Sequence, residues 1–288
     1  MTDSLQPFVF EGAGVRGGIV HLGATWRAVL ARREYPAALR EVMGELMAAA
    51  ALLASNLKFT GSMIMQMQGS GPVTILVVEC TGNLALRAMA HWEGAPGGPL
   101  PQLLGDGRFV ITLDPSEGRP KYQGVVALDG DTVADVLAHY MHRSEQLDTR
   151  FWLAAGGEQA CGMLLQRMPH ARAADPDAWS RALALAGTLE RDELLATPAS
   201  TLIRRLFHEE DIRVFPERPV SFRCSCSRER VIAMLRMLGQ GEVSAVAEEQ
   251  GTVDVNCEFC NRHYTFDRVD VEQIFAAETL VSPSPSRH

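Results

Sequence analysis

Apolar residues near the start of the chain recur at helical spacing, and the pattern predicts two helices, over 24–33 and 36–57. In the second, Pro36 stands near the first turn, where its missing N–H costs nothing. Its large apolar residues are spaced for one buried face: Leu39, Val42, Met43, Leu46 and Met47. We expect a core helix.

Beyond residue 58 the apolar spacing changes to alternation, which predicts strands. Residues 62–68 and 73–79 flank a Gly-Ser-Gly-Pro turn and predict a hairpin. Three more strands are predicted over 84–92, 108–113 and 122–128. Alternation places Met63, Met65 and Met67 on one face, and their flexible thioethers suit either ordinary core filling or an adaptable protein-binding surface.

A helix over 132–146, capped by Asp131, and strands over 150–153 and 161–168 complete a first domain, 1–170. The predicted class is α+β, with an antiparallel sheet whose strands come first and whose helices pack on one side.

A polar, proline-containing stretch after Pro169 marks a boundary and opens a helical linker over 171–222. Amphipathic helices are predicted over 178–188 and 200–209. Because helices this short are not stable alone, we expect them to dock on the exposed strand face of the first domain.

The remaining segment predicts a small domain, 223–280, with helices over 227–238 and 269–277, a strand near Val253 and another over 263–266. It has few large apolar side chains, so a bound metal must supply much of its stability. The tail, 281–288, is expected to be disordered.

Four of the six cysteines stand in two knuckles of this small domain, Cys224-Ser-Cys226 and Cys257-Glu-Phe-Cys260. Two close pairs far apart in the chain supply the four thiolates of a closed tetrahedral zinc site. Four buried cysteines without a ligand are the alternative, but the polar flanks are unlike core positions. His263 is expected beside the site rather than on the metal.

The same knuckles are a candidate redox trigger, because the two sulfurs of each pair can join once the metal is gone. Arg223, Arg228, Arg230 and Arg262 lie close in sequence, and nearby cations favour the reactive thiolate. These arginines can equally be solvated surface charge.

Composition and net charge limit the classes of partner that the protein is expected to bind. The chain has 288 residues, enough for two domains, and a net charge of −8. Residues 223–268 carry six Arg and no Lys against seven Asp and Glu, which disfavours a nucleic-acid partner.

No signal peptide is apparent, and the longest apolar run, 46–54, is too short for a membrane span. We therefore expect a cytoplasmic protein, whose reducing surroundings favour metal over disulfides at rest. Cys80 and Cys161 are interpreted as packing residues.

Two segments match catalytic or cofactor-binding sequence motifs, but the residues around them do not support either function. A G-x-G-x-x-G at Gly12, Gly14 and Gly17 continues as strand instead of opening a helix, so we interpret it as a bend in a strand pair. An S-x-x-K at 55–58 has no companion motif and is treated as chance. No enzymatic activity is predicted.

The chain resembles the redox-regulated bacterial chaperone family Hsp33 over nearly its whole length. The resemblance rests on these segments: 10–11, 15–17, 57–59, 68–72, 111–112, 115–118, 122–126, 143–147, 162–166, 224–230 and 257–260. It implies that zinc on Cys224, Cys226, Cys257 and Cys260 keeps the reduced protein inactive. Oxidation then pairs Cys224 with Cys226 and Cys257 with Cys260.

In such a protein zinc leaves, the small domain and linker unfold, and exposed apolar surface holds unfolding client proteins without ATP. The oxidised form is expected to dimerise. Met63, Met65 and Met67 become candidate client-binding residues, and Cys161, outside the family's cysteine set, a candidate extra oxidisable thiol. The alternatives are a thiol oxidoreductase using Cys257 and Cys260, which lacks a thioredoxin-like context, and a zinc-ribbon nucleic-acid binder.

Overall fold

The computed structural model describes residues 2–56, 60–115, 119–169 and 175–279. Several predictions lie outside these residues: the end of the second helix at 57, the resembling segments 57–59 and 116–118, the start of the linker at 171–174, and the tail over 281–288. Chain contacts divide the protein into two compact units, Met1–Arg223 and Cys224–His288. The linker belongs to the first of these.

The first unit contains twelve strands among its described residues. They are β1 (Ser4–Phe10), β2 (Val15–Leu22), β3 (Gly61–Gly69), β4 (Val73–Thr81), β5 (Ala85–Trp92), β6 (Gly107–Pro115), β7 (Tyr122–Ala127), β8 (Thr149–Ala155), β9 (Ala160–Arg167), β10 (Ile212–Val214), β11 (Arg218–Pro219) and β12 (Ser221–Phe222). Sheet A has the order β10-β1-β2-β9-β8, with β11 also on β1, and sheet B the order β12-β5-β4-β3-β6-β7. The pairings are antiparallel except β12 with β5.

The helices of this unit are α1 (Ala24–Leu30), α2 (Ala37–Ala54), α3 (Leu100–Leu104), α4 (Val133–Arg143), α5 (Ala178–Ala186), α6 (Arg191–Ala196) and α7 (Ala199–Phe207). The predicted α+β class and the predicted strands are confirmed. The cap of α4 is a correction: Thr132, not Asp131, accepts from the Asp135 amide, and the Asp135 carboxylate accepts from the Thr132 amide in return.

Helix α2 packs between the two sheets, on β2, β8 and β9 of one and β3, β4 and β5 of the other. The prediction of helices on one side of a sheet is therefore wrong, as is the single buried face, because every residue from 46 to 54 is buried. The helix approaches sheet A closely at Gly44, where a Cβ would stand 2.6 Å from the Cβ of Ala155. Met63, Met65 and Met67 belong to this core, with 2%, 0% and 0% exposure.

The glycines at the start of the chain form a bend, as predicted. Gly12 and Gly14 have φ of 68° and 66° in the turn between β1 and β2, a conformation that glycine adopts without strain. Since β2 follows, no helix N-terminus is available for a pyrophosphate, which confirms that the motif is not a dinucleotide fingerprint.

The linker helices dock on the outer face of sheet A, as predicted. Ala182, Leu202 and Phe207 are buried there against Phe8, Phe10 and other residues of β1, β2 and β9. The Phe207 ring lies 5.0 Å from that of Phe10, edge on, and 5.8 Å from that of Phe8. Helix α6, which the sequence did not predict, adds Leu194 to the same cluster.

The second unit contains α8 (Arg228–Leu238), α9 (Gln240–Gln250), β13 (Thr252–Asn256), β14 (His263–Asp267) and α10 (Arg268–Thr279). The strands pair as an antiparallel hairpin. The predicted helices and strands are confirmed, but α9 was missed. A separate apolar core joins the three helices to the hairpin around the fully buried Phe266.

Candidate metal centre

Two loops of the second unit carry the four predicted cysteines. Cys224 and Cys226 lie just before α8, which Ser227 caps by accepting from the Arg230 amide at 3.3 Å. Cys257 and Cys260 lie in the loop between β13 and β14. The sequence thus positions one knuckle by a helix cap and the other by a hairpin.

The second knuckle is closed by its own backbone. The Cys257 amide donates to the Arg262 carbonyl at 2.9 Å, and the Asn261 amide donates to the Cys257 carbonyl at 2.7 Å. Asn261 has a φ of 57°, a left-handed conformation that asparagine tolerates better than most residues. This tight turn brings both thiols to the same side.

The four sulfurs converge. Sγ of Cys224 lies 3.6 Å from Sγ of Cys257, and Sγ of Cys226 lies 3.3 Å from Sγ of Cys260. All four lie within 4.8 Å of one another. In a tetrahedral zinc site with Zn–S bonds of about 2.3 Å, neighbouring sulfurs stand roughly 3.8 Å apart, so the arrangement fits such an ion closely. The alternative of four buried cysteines without a ligand is not favoured, because all four are only partly buried.

The electrostatics of the site require a cation for four thiolates to coexist. Burial raises the pKa of Cys257, and burial together with the neighbouring thiols raises that of Cys260 to about 12. A divalent ion supplies the compensating charge, because a thiol coordinated to such an ion is deprotonated. The donor set therefore fits a soft divalent metal.

The sequence left two roles open for the arginines near the knuckles, thiol activation or solvated surface charge, and their contacts differ from one arginine to the next. Arg228 bonds to the Thr265 carbonyl and to Asp270, and lies over the Phe266 ring, while Arg230 donates to Ser225. Both are exposed, so they are structural surface charges rather than thiol activators. Arg262 interacts electrostatically with Cys226 and Cys260, but burial outweighs it at Cys260.

Tyr264 makes a contact with the cysteine cluster that the sequence did not reveal. Its hydroxyl donates to Sγ of Cys226 at 3.2 Å, from a ring buried in the core of the unit. Register places it on the inward face of β14, and only the folded hairpin brings it to the sulfur. His263 interacts with Asn256 and Asp254 through its two ring nitrogens and does not belong to the group of four converging sulfurs.

The remaining two cysteines are buried far from water in the first unit, each in a different sheet. Burial raises the pKa of both Cys80 and Cys161 to about 12. A protonated, inaccessible thiol is inert, so both are packing residues in this conformation, and a role for Cys161 as an extra oxidisable thiol is disfavoured.

The oxidoreductase alternative lacks its structural context. Cys257 and Cys260 stand in an antiparallel hairpin loop beside two other cysteines, whereas the redox C-x-x-C motif belongs to a βαβ setting.

None of the helices in the described part of the chain combines the length and apolar character needed to cross a bilayer.

Comparison with known proteins gives one consistent result. Residues 3–267 match the family model described as Hsp33 protein. The chain is 50% identical over 291 residues to the 33 kDa chaperonin of Methylobacillus flagellatus, covering 100% of this chain and 99% of that protein. It is 49% identical to the 33 kDa chaperonin of Chromobacterium violaceum, covering 99% and 98%.

A solved structure shares the fold. The crystal structure of the 33 kDa chaperonin, or heat shock protein 33 homologue, of Thermotoga maritima superposes with a TM-score of 0.83 at 20% identity. The match covers 96% of this chain and 99% of that one.

Proposed function

This chain belongs to the Hsp33 family, and from that premise we propose that it is a redox-regulated holdase chaperone that works without ATP or turnover. In the reduced state, zinc on Cys224, Cys226, Cys257 and Cys260 holds it inactive. The convergence of these four sulfurs within 4.8 Å carries the proposal.

Oxidation of the thiols is the proposed trigger. Each knuckle forms its own disulfide, Cys224 with Cys226 and Cys257 with Cys260. The two thiolates of a knuckle give up two electrons to an oxidant such as peroxide, which takes up two protons from solvent and is reduced to water. Disulfide sulfurs no longer carry the charge that binds zinc, so the ion leaves. Structural zinc contributes on the order of 10 kcal/mol to small modules, which exceeds the stability expected of a unit this size.

The linker is the proposed second element of the switch. Its buried side chains, Leu202 and Phe207 among them, cover an apolar face of sheet A that includes Phe8, Phe10 and Ile19. Release of the linker would present both faces to unfolding proteins, and binding to such surfaces needs no sequence preference.

A client-binding role is also proposed for three methionines, Met63, Met65 and Met67. All three are buried in the core around α2 in this conformation, so they can contact a client only if that core opens. Photocrosslinking from position 65 to a bound client in the oxidised protein would test the role, with position 8 as a comparison.

The proposed cellular location is the cytoplasm, because the thiols must be reduced to bind zinc. A reducing cytoplasm keeps the thiols on zinc, and oxidative stress reverses that balance. Unfolding clients are the proposed partners, with homodimerisation of the oxidised form.

The test is aggregation suppression before and after oxidation. Full-length protein, reduced and zinc-loaded, is expected to leave a thermally unfolding protein unprotected, and peroxide treatment is expected to release one zinc, consume four thiols and confer stoichiometric protection. A Cys80→Ser/Cys161→Ser variant serves as the matched control and should switch normally. Protection by the reduced, zinc-loaded protein would refute the switch, and turnover of a model disulfide would favour the oxidoreductase instead.

A further inference from the structure

A cavity of about 150 Å³ lies inside the first unit, between the end of α2, helix α4 and strands of both sheets. Most of its wall is apolar: Leu53, Met63, Ile111, Leu113, Met141 and Leu147. An engineered apolar cavity of about 150 Å³ admits benzene, so this one has room for a group of that size.

One charged group of the wall is held facing the cavity. Arg16 of β2 stands opposite Gln166 of β9, and its Nε and Nη2 both donate to Gln166 Oε1, the first at 2.8 Å. Gln166 in turn donates to Thr149 Oγ1 at 2.7 Å. A chain of neutral groups therefore fixes the guanidinium in place without balancing its charge.

Among the described residues, no carboxylate lies within ion-pairing distance of Arg16. Half-buried guanidinium groups are ordinarily paired with an anion, because desolvation penalises an isolated charge. Burial accordingly lowers the pKa of Arg16. Within the described part of the chain, Nη1 and the second N–H of Nη2 have no hydrogen-bond partner, and together they form the edge that can hold a carboxylate through two parallel hydrogen bonds.

The acidic residue of the wall is already engaged elsewhere. Glu145 stands at the exposed rim and accepts from the hydroxyls of Tyr140 at 3.1 Å and Tyr122 at 3.4 Å. Glu145 is the one carboxylate among the described residues of the wall, so the wall offers Arg16 no carboxylate partner.

We propose that this cavity binds a small organic monocarboxylate whose apolar body is about the size of a benzene ring, with the carboxylate on Arg16 and the body among Leu53, Ile111 and Met141. The site lies within the first unit and shares no residue with the cysteine cluster or with the apolar face under the linker helices, so the proposal does not depend on the chaperone function.

Benzoate is the probe, titrated into the reduced, zinc-loaded full-length protein and followed by calorimetry and by methyl NMR of Ile111 and Met141. Saturable binding is expected, with neutral benzamide at least about tenfold weaker, because a charge-assisted pair is replaced by neutral hydrogen bonds. Arg16→Met should lose the same factor, and Arg16→Lys, which keeps the charge but not the fork, should be intermediate.

Two further variants separate binding from folding. Leu113→Phe places a ring in the cavity and should abolish benzoate binding although Arg16 is intact. Glu145→Gln should bind at least as tightly as the natural protein, because a negative charge at the rim is removed. Zinc content and near-ultraviolet circular dichroism verify the fold of each variant. Equal binding of benzoate and benzamide, undiminished binding by Arg16→Met, or no saturable shift at Ile111 and Met141 would overturn the proposal.

Discussion

Phe207 is the residue whose removal should most directly weaken linker docking. Its ring is 1% exposed and packs edge on against Phe10 and obliquely against Phe8. Truncating a buried phenylalanine to alanine costs about 3–5 kcal/mol. Phe207→Ala should therefore shift the equilibrium toward the undocked linker by roughly two to three and a half powers of ten.

The assay is amide hydrogen exchange of reduced, zinc-loaded protein at neutral pH. Protection over α6 and α7 should fall by up to the same factor in Phe207→Ala, because these amides exchange when the linker opens. Protection in β3 and β4, in the core around α2, should change little. The variant should also suppress client aggregation partially without oxidant.

Phe215→Ala is the matched control, since it makes the same substitution at a linker position where the side chain is 38% exposed. It should leave protection of α7 within a few-fold of the natural protein. If both variants lose protection equally, or if Phe207→Ala loses none, then the aromatic cluster does not hold the linker on sheet A.

Three other outcomes are expected. Tyr264→Phe removes the donor to Cys226 and should speed zinc transfer to a chromogenic chelator about tenfold, which an unchanged rate would contradict. Chelating zinc from the reduced protein should abolish exchange protection in β13, β14 and α10, and retained protection there would show that the metal is dispensable. Glu45→Gln should raise the melting temperature at pH 8 but not at pH 4. The pKa of Glu45 is raised by burial from 4.5 to about 7, so its contribution to stability is complete below pH 4.5 and lost as pH rises through 7. The loss is up to about 3 kcal/mol, despite the ion pair with Arg191. A lower melting temperature for Glu45→Gln at pH 8 would mean that the ion pair outweighs the burial cost.

The knuckle spacing was enough to predict that the four cysteines form one candidate metal site, because two short cysteine pairs separated in the chain are typical of such sites. The four cysteines that converge in the candidate site could be named without the structure. The contact from Tyr264 could not, because it depends on the register of β13 against β14 and on how the first knuckle meets the second.

Secondary structure followed from alternation and periodicity wherever a single face is buried. The burial of helix α2 was underestimated because an apolar stripe does not show how many layers surround a helix. Its alanines from 48 to 51 are small and gave no sign of a second buried face, yet they are buried in the core that both sheets share. Helix α9 was missed since Gly239 ends α8 and also precedes α9 directly, which looks like a stop signal in one dimension. Strand β12 pairs with a segment far away in the chain, and no local pattern encodes such a partner.

The last strands of the linker have a further consequence. β10 and β11 cover the outer edge of β1, and β12 covers that of β5, so one short stretch of chain seals both sheets at once. If that segment dissociated, each sheet would expose an edge with unpaired amide and carbonyl groups in addition to apolar side chains. An extended segment of an unfolded protein could then add to either edge as a further strand. Such pairing uses main-chain hydrogen bonds, which every protein can form, so it would not depend on the sequence of the bound protein.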